Sequence, residues 1–440
     1  MQLAWKKALA NRVIFTLLFV NAIVRMVIQI FLPKHPTELA PDEGAYANLA
    51  LWISDGLSPS NFPTYGPYLY YASRSLVMPS VLLVDFGVNE LLAVRLVSTT
   101  YGFLSAVVLY LLFKNLLFYR ITRSGSTLET GNLNAIQISL FAIASFLPSP
   151  LLWSSLGLRE SSSWFWLLLS TYLIAKLIFE KKAFAFKLAL SVALAFAFAL
   201  SFAGRAQTSS LFFVVFAFII VLSLRRKSIA PGLALTAISC GFLLGLLYTS
   251  VPNGGPDLFE PTKGIALTQE SVTQTFQKSL GNQLETLADT SAEQDSTREG
   301  ANSSLPPYEC STSLSASVSN IMCILTNIPY RSFAFLFRPI LMFDSGSNLM
   351  LLASIENVCW SLLFIWLILF FFKTGDNWTR RILVTPMLCF IFFFVVAAGL
   401  IEGNMGNAFR HKSIVLWPLV CSLMLLAQRD FDLKEGDGHK

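Results

Sequence analysis

Residues 13–32 read VIFTLLFVNAIVRMVIQIFL, and the chain continues PKHPTELAPDEGAY to Tyr46. An uninterrupted apolar run of this length, at a rise of about 1.5 Å per residue, covers the thickness of a bilayer core. Lys6, Lys7 and Arg12 precede it, so the positive-inside bias keeps the N-terminus cytoplasmic. The run is too long for a signal-peptide core, carries Arg25 and has no small-residue cleavage site behind it, so it reads as a retained helix. The acidic pair Asp42–Glu43 then emerges on the outer side, near the lipid headgroups. A carboxylate there can serve as a general base on a hydroxyl while staying close to a lipid-borne substrate. A solvated loop with a turn started by Pro41 is the other reading of the same residues.

Composition sets the class. Hydrophobic residues make up 54% of the 440, charged residues 13%, and the mean hydropathy is +0.61, whereas a soluble domain carries roughly a quarter charged residues. The chain reads as an all-α polytopic membrane protein, because a barrel would alternate in short segments instead of running apolar without a break. The net charge of +6 reflects cytoplasmic loops facing anionic lipid and gives no argument for nucleic acid.

Ten apolar spans follow, at about 13–32, 92–113, 136–156, 162–180, 186–203, 208–224, 229–250, 349–372, 382–401 and 413–427. With the N-terminus inside, the inner loops hold Lys114, Arg120 and Arg123, then Lys181, Lys182 and Lys187, then Arg225, Arg226 and Lys227, then Lys373, Arg380 and Arg381. Each is basic, as the positive-inside rule requires, and both termini are placed in the cytoplasm. The organisation is therefore a membrane module over 1–250 with a first outer loop at 33–91, an extracytoplasmic region over 251–348, and C-terminal membrane helices over 349–440. Within the first outer loop, Ala45 to Ile53 is apolar at helical spacing. Ser75 to Phe86 is too short to span and reads as a helix lying in the interface. The acidic stretch 257–309 suits a translocated loop.

Cys240, Cys359, Cys389 and Cys421 fall in spans and read as small buried hydrophobes. Cys310 and Cys323 share the second outer loop and form a candidate disulfide in an oxidising compartment. His35, His411 and His439 are the histidines, and none has a partner at metal-ligand spacing.

The remaining chemistry is positive charge on the outer side, where the positive-inside rule disfavours it. Arg159 and Glu160 lie between the third and fourth spans, and Arg205 lies in the turn 204–207. Arg331 and Arg338 bracket an aromatic stretch, and Arg410, His411 and Lys412 form the last outer loop. A lipid-borne phosphate explains such a set, since Arg grips it bidentately and Lys as a point charge. Snorkelling side chains or ion pairs with acidic loops explain it as well. Arg25 and Arg95, inside or near the ends of spans, read as structurally paired, while Glu356 is open between a polar contact and a cavity wall.

An N-in first helix, an outer loop with Asp42–Glu43 and trailing Tyr46, and amphipathic helices behind it together resemble the GT-C glycosyltransferases. These are membrane enzymes that use polyprenyl-phosphate-linked sugars, the protein O-mannosyltransferases and lipid A aminoarabinose transferases among them. PDEGAYANLA at 41–50 matches their first-loop motif, and FGVNELLAVRL at 86–96 is similar to the opening of their second helix. Arg159–Glu160 occupies the place of their second outer-loop acid, although Glu in a Leu-Arg-Glu-Ser setting departs from the commonest Asp forms. The likeness covers about residues 10–225.

It implies an inverting transfer from a polyprenyl-phosphate sugar to a hydroxyl of a glycan, lipid or protein. Asp42 (or Glu43) would be the base and Glu160 a second acid. Arg159, Arg205, Arg331, Arg338, Arg410, His411 and Lys412 would serve the donor phosphate, with Tyr46, Tyr65 and Tyr68 at the acceptor. No metal or other cofactor is obligatory, though some relatives use a divalent ion, and the implied location is a bacterial cytoplasmic membrane with the site outside. A polysaccharide polymerase or O-antigen ligase, and a membrane transporter, are the alternative readings. The first lacks the first-loop acidic pair, and the second should show paired halves with broken helices.

Overall fold

The computed structural model describes residues 2–36, 42–62, 66–124, 135–180, 183–223, 229–249, 318–339, 348–373, 384–401 and 405–427. In chain order the helices are α1 (Gln2–Phe31), α2 (Asp42–Ser54), α3 (Gly66–Tyr71), α4 (Arg74–Asp85), α5 (Glu90–Ser124), α6 (Ala135–Phe146) and α7 (Pro148–Ser155). Then come α8 (Glu160–Phe179), α9 (Phe184–Ser223), α10 (Ile229–Thr249), α11 (Val318–Phe337), α12 (Asn348–Lys373), α13 (Thr385–Ile401) and α14 (Met405–Ala427). A short 3₁₀ turn, Pro59–Asn61, lies between α2 and α3. Among the described residues there is no strand. Cys310, one half of the candidate disulfide with Cys323, lies outside the described residues, as does the acidic stretch 257–309. Cys240, Cys359, Cys389 and Cys421 are free thiols; Cys421 is buried as expected, whereas Cys389 is half-buried and Cys240 and Cys359 are exposed on the outer faces of their helices.

Among the described residues seven helices are long and apolar enough to cross a membrane, or eight if the bent pair α6–α7 is one span. This is fewer than the ten spans read from hydropathy, and two features account for much of the difference. Pro148 and Pro150 interrupt the third span, and the two pieces meet at a 42° bend. Proline lacks the N–H and its ring clashes with the preceding turn, so a helix breaks where it enters. The second feature is α9, forty residues long but non-helical at Arg205, where φ is −162° and ψ is 90°. Phe198 and Phe212 would stand about 21 Å apart along a straight helix, yet their rings are 5.8 Å apart. The chain therefore doubles back at the 204–207 turn.

The described chain divides into two compact units. The first comprises Met1–Asn253, Leu363–Ile391 and Ile414–Lys440. Its largest helix contact is α9 against α10, where Gly241 and Gly245 let the backbones approach. A Cβ at Gly241 would lie 2.5 Å from the Ala195 carbonyl oxygen, and one at Gly245 would lie 2.6 Å from the Phe202 Cβ. Small residues four apart are how membrane helices pack when lipid supplies no hydrophobic drive. Phe212, Phe390 and Trp417 meet in the same unit. On α1, Phe15, Phe19, Ile23, Met26 and Ile30 are exposed, an apolar face of the kind lipid covers.

The opposite face of α1 is polar. Arg25 is buried, donates from Nε to Asn21 Oδ1 at 2.9 Å and from Nη1 to Ser154 Oγ, while Asn21 donates to the Ser145 carbonyl at 2.6 Å. Among the described residues no carboxylate pairs with Arg25, which instead lies at the C-terminal end of α7, the negative pole of that helix dipole. The second unit comprises Gly254–Leu362 and Phe392–Ser413. There Phe335 of α11 packs on Phe394 of α13, and a Cβ at Gly399 would lie 3.0 Å from both the Arg331 carbonyl oxygen and the Ser332 nitrogen.

Candidate functional site

Helix α2 begins at Asp42, so both acids lie in its first turn, where the positive end of the dipole favours them. Glu43, Tyr46, Ala47 and Ala50 recur at i, i+3, i+4 and i+7, and all four are buried. Glu43 therefore points inward with the apolar stripe, and Asp42 stands on the neighbouring, half-buried face.

Inside, Glu43 meets Arg95 of α5 in a fork: Nε donates to Oε2 at 2.9 Å and Nη2 to Oε1 at 2.8 Å. Arg95 also donates to the carbonyls of Pro33 at 2.6 Å and His35 at 3.2 Å, and the Gly157 N–H donates to Glu43 Oε2 at 3.4 Å. Pro36 presses on Gly44 so closely that a Cβ there would lie 2.8 Å from its Cγ. One buried carboxylate thus ties together the chain leaving α1, the start of α2, α5 and the turn before α8. A charge with no exposure to water persists only with such complete pairing, so Glu43 holds the site together and is already engaged.

Two residues beyond Gly157 stand Arg159 and Glu160. Arg159 donates from Nη1 to the Ala72 carbonyl at 3.2 Å, and the fully buried Glu160 pairs with Arg205 at 3.2 Å. The turn of α9 seats against hydroxyls: a Cβ at Gly204 would lie 2.9 Å from both Ser163 Oγ and Ser75 Oγ. Ser75 and Ser162 share a hydrogen bond of 2.9 Å. Arg74 opens α4 with its guanidinium 4.2 Å from the ring centre of Tyr71 and 4.9 Å from that of Tyr70. In the first unit, then, Asp42, Glu43, Arg159, Glu160 and Arg205, 163 residues apart at the extremes of the sequence, are joined through Glu43, Gly157 and the Glu160–Arg205 pair.

Tyr46, expected at the acceptor, is buried in the α2 stripe. Tyr65 and the side chain of Tyr68 lie outside the described residues. Arg331, Arg338, Arg410, His411 and Lys412 belong to the second unit. Lys412 there is fully buried: Nζ donates to the Leu336 carbonyl at 3.0 Å and to Asn357 Oδ1, and stands over the rings of Trp360 and Phe409. Asn357 in turn donates to the Pro339 carbonyl at 2.8 Å, and Glu356 accepts from Trp360 Nε1 at 3.0 Å. Lys412 thus acts as a helix cap for α11. Glu356 is a polar contact within this cluster.

Ser75, Ser161, Ser162 and Ser163 were not singled out in the sequence, although three consecutive serines after Glu160 mark a helix start held by hydroxyls. Among the described residues no group of three or more His, Cys, Asp or Glu side chains gathers as a metal site. No family model, curated protein or solved structure matches the chain.

Proposed function

We propose that this protein is a membrane glycosyltransferase of the GT-C kind, moving a sugar from a polyprenyl-phosphate donor to an acceptor hydroxyl on the outer side of a cytoplasmic membrane. The observation that carries the reading is the division of roles in the acidic pair. Glu43 is locked by Arg95 and Gly157, while Asp42 stands half-buried at a helix start whose neighbours lead directly to Arg159, Glu160 and Arg205.

In this reading the Asp42 carboxylate takes the proton of the acceptor hydroxyl. The freed oxygen bonds to the anomeric carbon from the face opposite the phosphate, the bond from that carbon to the phosphate oxygen breaks, and the configuration inverts. Polyprenyl phosphate leaves as an anion, and arginines stabilise the charge it gains. Within the first unit Arg159 serves that role, beside the Glu160–Arg205 pair. No step needs a nucleotide, and a divalent ion remains compatible.

The proposed topology keeps ten spans with both termini inside. The bent pair α6–α7 counts as one span, the two arms of α9 as two, and the short helix α13 as one. The exposed Met78, Leu82 and Phe86, one turn apart along α4, support an interfacial position for that helix.

The test uses purified protein in lipid nanodiscs, a panel of polyprenyl-phosphate sugars, and release of polyprenyl phosphate as the signal. Asp42→Asn should lower release by about two to four orders of magnitude, the usual worth of a positioned base, with donor binding little changed. Near wild-type release by Asp42→Asn would move the polymerase and transporter readings ahead.

A further inference from the structure

The connector between α7 and α8 leads through Arg159 into Glu160 at the start of α8, and it is held by side chains of α1 and α5. The backbone from Ser154 to Leu158 is buried; within it the Leu156 carbonyl accepts the Leu158 N–H at 2.6 Å and the Leu158 carbonyl accepts the Ser161 hydroxyl at 3.0 Å. Side chains complete the set. Thr99 Oγ1 donates to the Ser154 carbonyl at 3.3 Å, Gln29 Nε2 to the Ser155 carbonyl at 2.5 Å, and Ser98 Oγ to the carbonyls of Leu156 at 2.9 Å and Leu158 at 3.2 Å. Gln29 also donates to Thr99 Oγ1 at 2.7 Å, and Ser98 shares a hydrogen bond of 2.8 Å with Ser161 in the first turn of α8. Arg25 reaches Ser154 Oγ from the same stripe of α1. A Cβ at Gly157 would lie 2.6 Å from Val94 Cγ1, so the connector is pressed onto α5 with no slack.

We propose that Ser98, assisted by Gln29 and Thr99, is a positioning residue for Arg159. By holding the carbonyls of the connector it fixes where the guanidinium is presented to the phosphate of a polyprenyl donor. The inference rests on the donor reading above. Its physical basis is that buried non-helical backbone is stable only where other groups satisfy it. A connector that loses one of these side-chain donors settles differently, and the residues it leads into move with it.

The probe is undecaprenyl monophosphate, titrated against the full-length protein in nanodiscs. Ser98→Ala should weaken binding roughly fivefold, the scale of losing one net buried hydrogen bond. Thr99→Val, which keeps the shape and removes the hydroxyl, should weaken it in the same direction. The discriminating measurement is the cycle with Arg159→Lys, which keeps the charge and loses the fork. If Ser98 acts through Arg159, adding Ser98→Ala to Arg159→Lys costs little further affinity. Equal weakening of binding by Ser98→Ala in both backgrounds reveals a general structural effect and overturns the proposal. So does wild-type binding by Ser98→Ala and Thr99→Val when Arg159→Lys is impaired. Absence of saturable binding by the wild-type protein overturns the donor reading itself, and this inference with it.

Discussion

At the scale of single residues, the two neighbouring acids make opposite predictions. Glu43→Gln leaves the Arg95 guanidinium buried beside a neutral amide, and breaking a buried pair from one side typically costs about 3–5 kcal/mol. Asp42→Asn removes a charge from a half-buried helix start and should cost far less, about 1 kcal/mol or below for the lost dipole interaction. Thermal unfolding in one detergent therefore separates them: a large drop in Tm for Glu43→Gln and a small one for Asp42→Asn. Equal drops would mean that the fork between Glu43 and Arg95 does not carry the fold. The division could have been read from spacing alone. Glu43 sits at position i of the stripe Tyr46, Ala47 and Ala50, so it enters the core with them, whereas Asp42 is offset by one residue and about 100° of helix. Gly102 makes a second residue-scale prediction. A Cβ there would lie 2.4 Å from Arg25 Nη1 and 2.5 Å from Ser154 Cβ. Gly102→Ala should thus destabilise the protein by about 1–3 kcal/mol through overpacking, visible as a lower unfolding midpoint.

Among the elements, α9 and α10 show what hydropathy can and cannot say. Both arms of α9 are apolar throughout, and the signal for the turn is the small polar sequence Gly204-Arg205-Ala206-Gln207. Its outcome, one helix doubled on itself, comes from the aromatic contacts between the arms. The packing of α10 on α9 depends on Gly241 and Gly245, so Gly241→Leu should push the helices apart. The expected cost is about 1–3 kcal/mol, measured as loss of monodisperse protein on heating in detergent. Gly232 of the same helix has open space around its Cβ position, and Gly232→Ala should leave the midpoint near wild type. If the two variants behave alike, close approach at Gly241 is not what joins these helices. The bend between α6 and α7 was legible from Pro148 and Pro150. Its support was not, because Asn21, Arg25 and Gln29 could be seen only as polar residues in an apolar run until their partners on other helices were known.

For the whole molecule, orientation is the decisive quantity, since it puts the acidic pair on one side of the membrane or the other. A cysteine introduced at Ser291, in the acidic stretch, should react with an impermeant maleimide in intact cells, on a background in which the native cysteines are replaced. Reaction only after lysis would reverse the orientation and remove the outer-side chemistry. Composition and the length of apolar runs were sufficient to determine a helical membrane protein, because a bilayer demands that each spanning segment satisfy its own backbone. That is a local requirement, and it is written locally. The motif at 41–50 likewise marked where the acids lie. That the partner of Glu43 is Arg95, that Glu160 engages Arg205, and that Lys412 caps α11 instead of facing outward were decided by tertiary structure alone. Each depends on groups from separate helices meeting in a low-dielectric interior, where a charge is stable only beside its particular partner. No run of neighbouring residues encodes who that partner is.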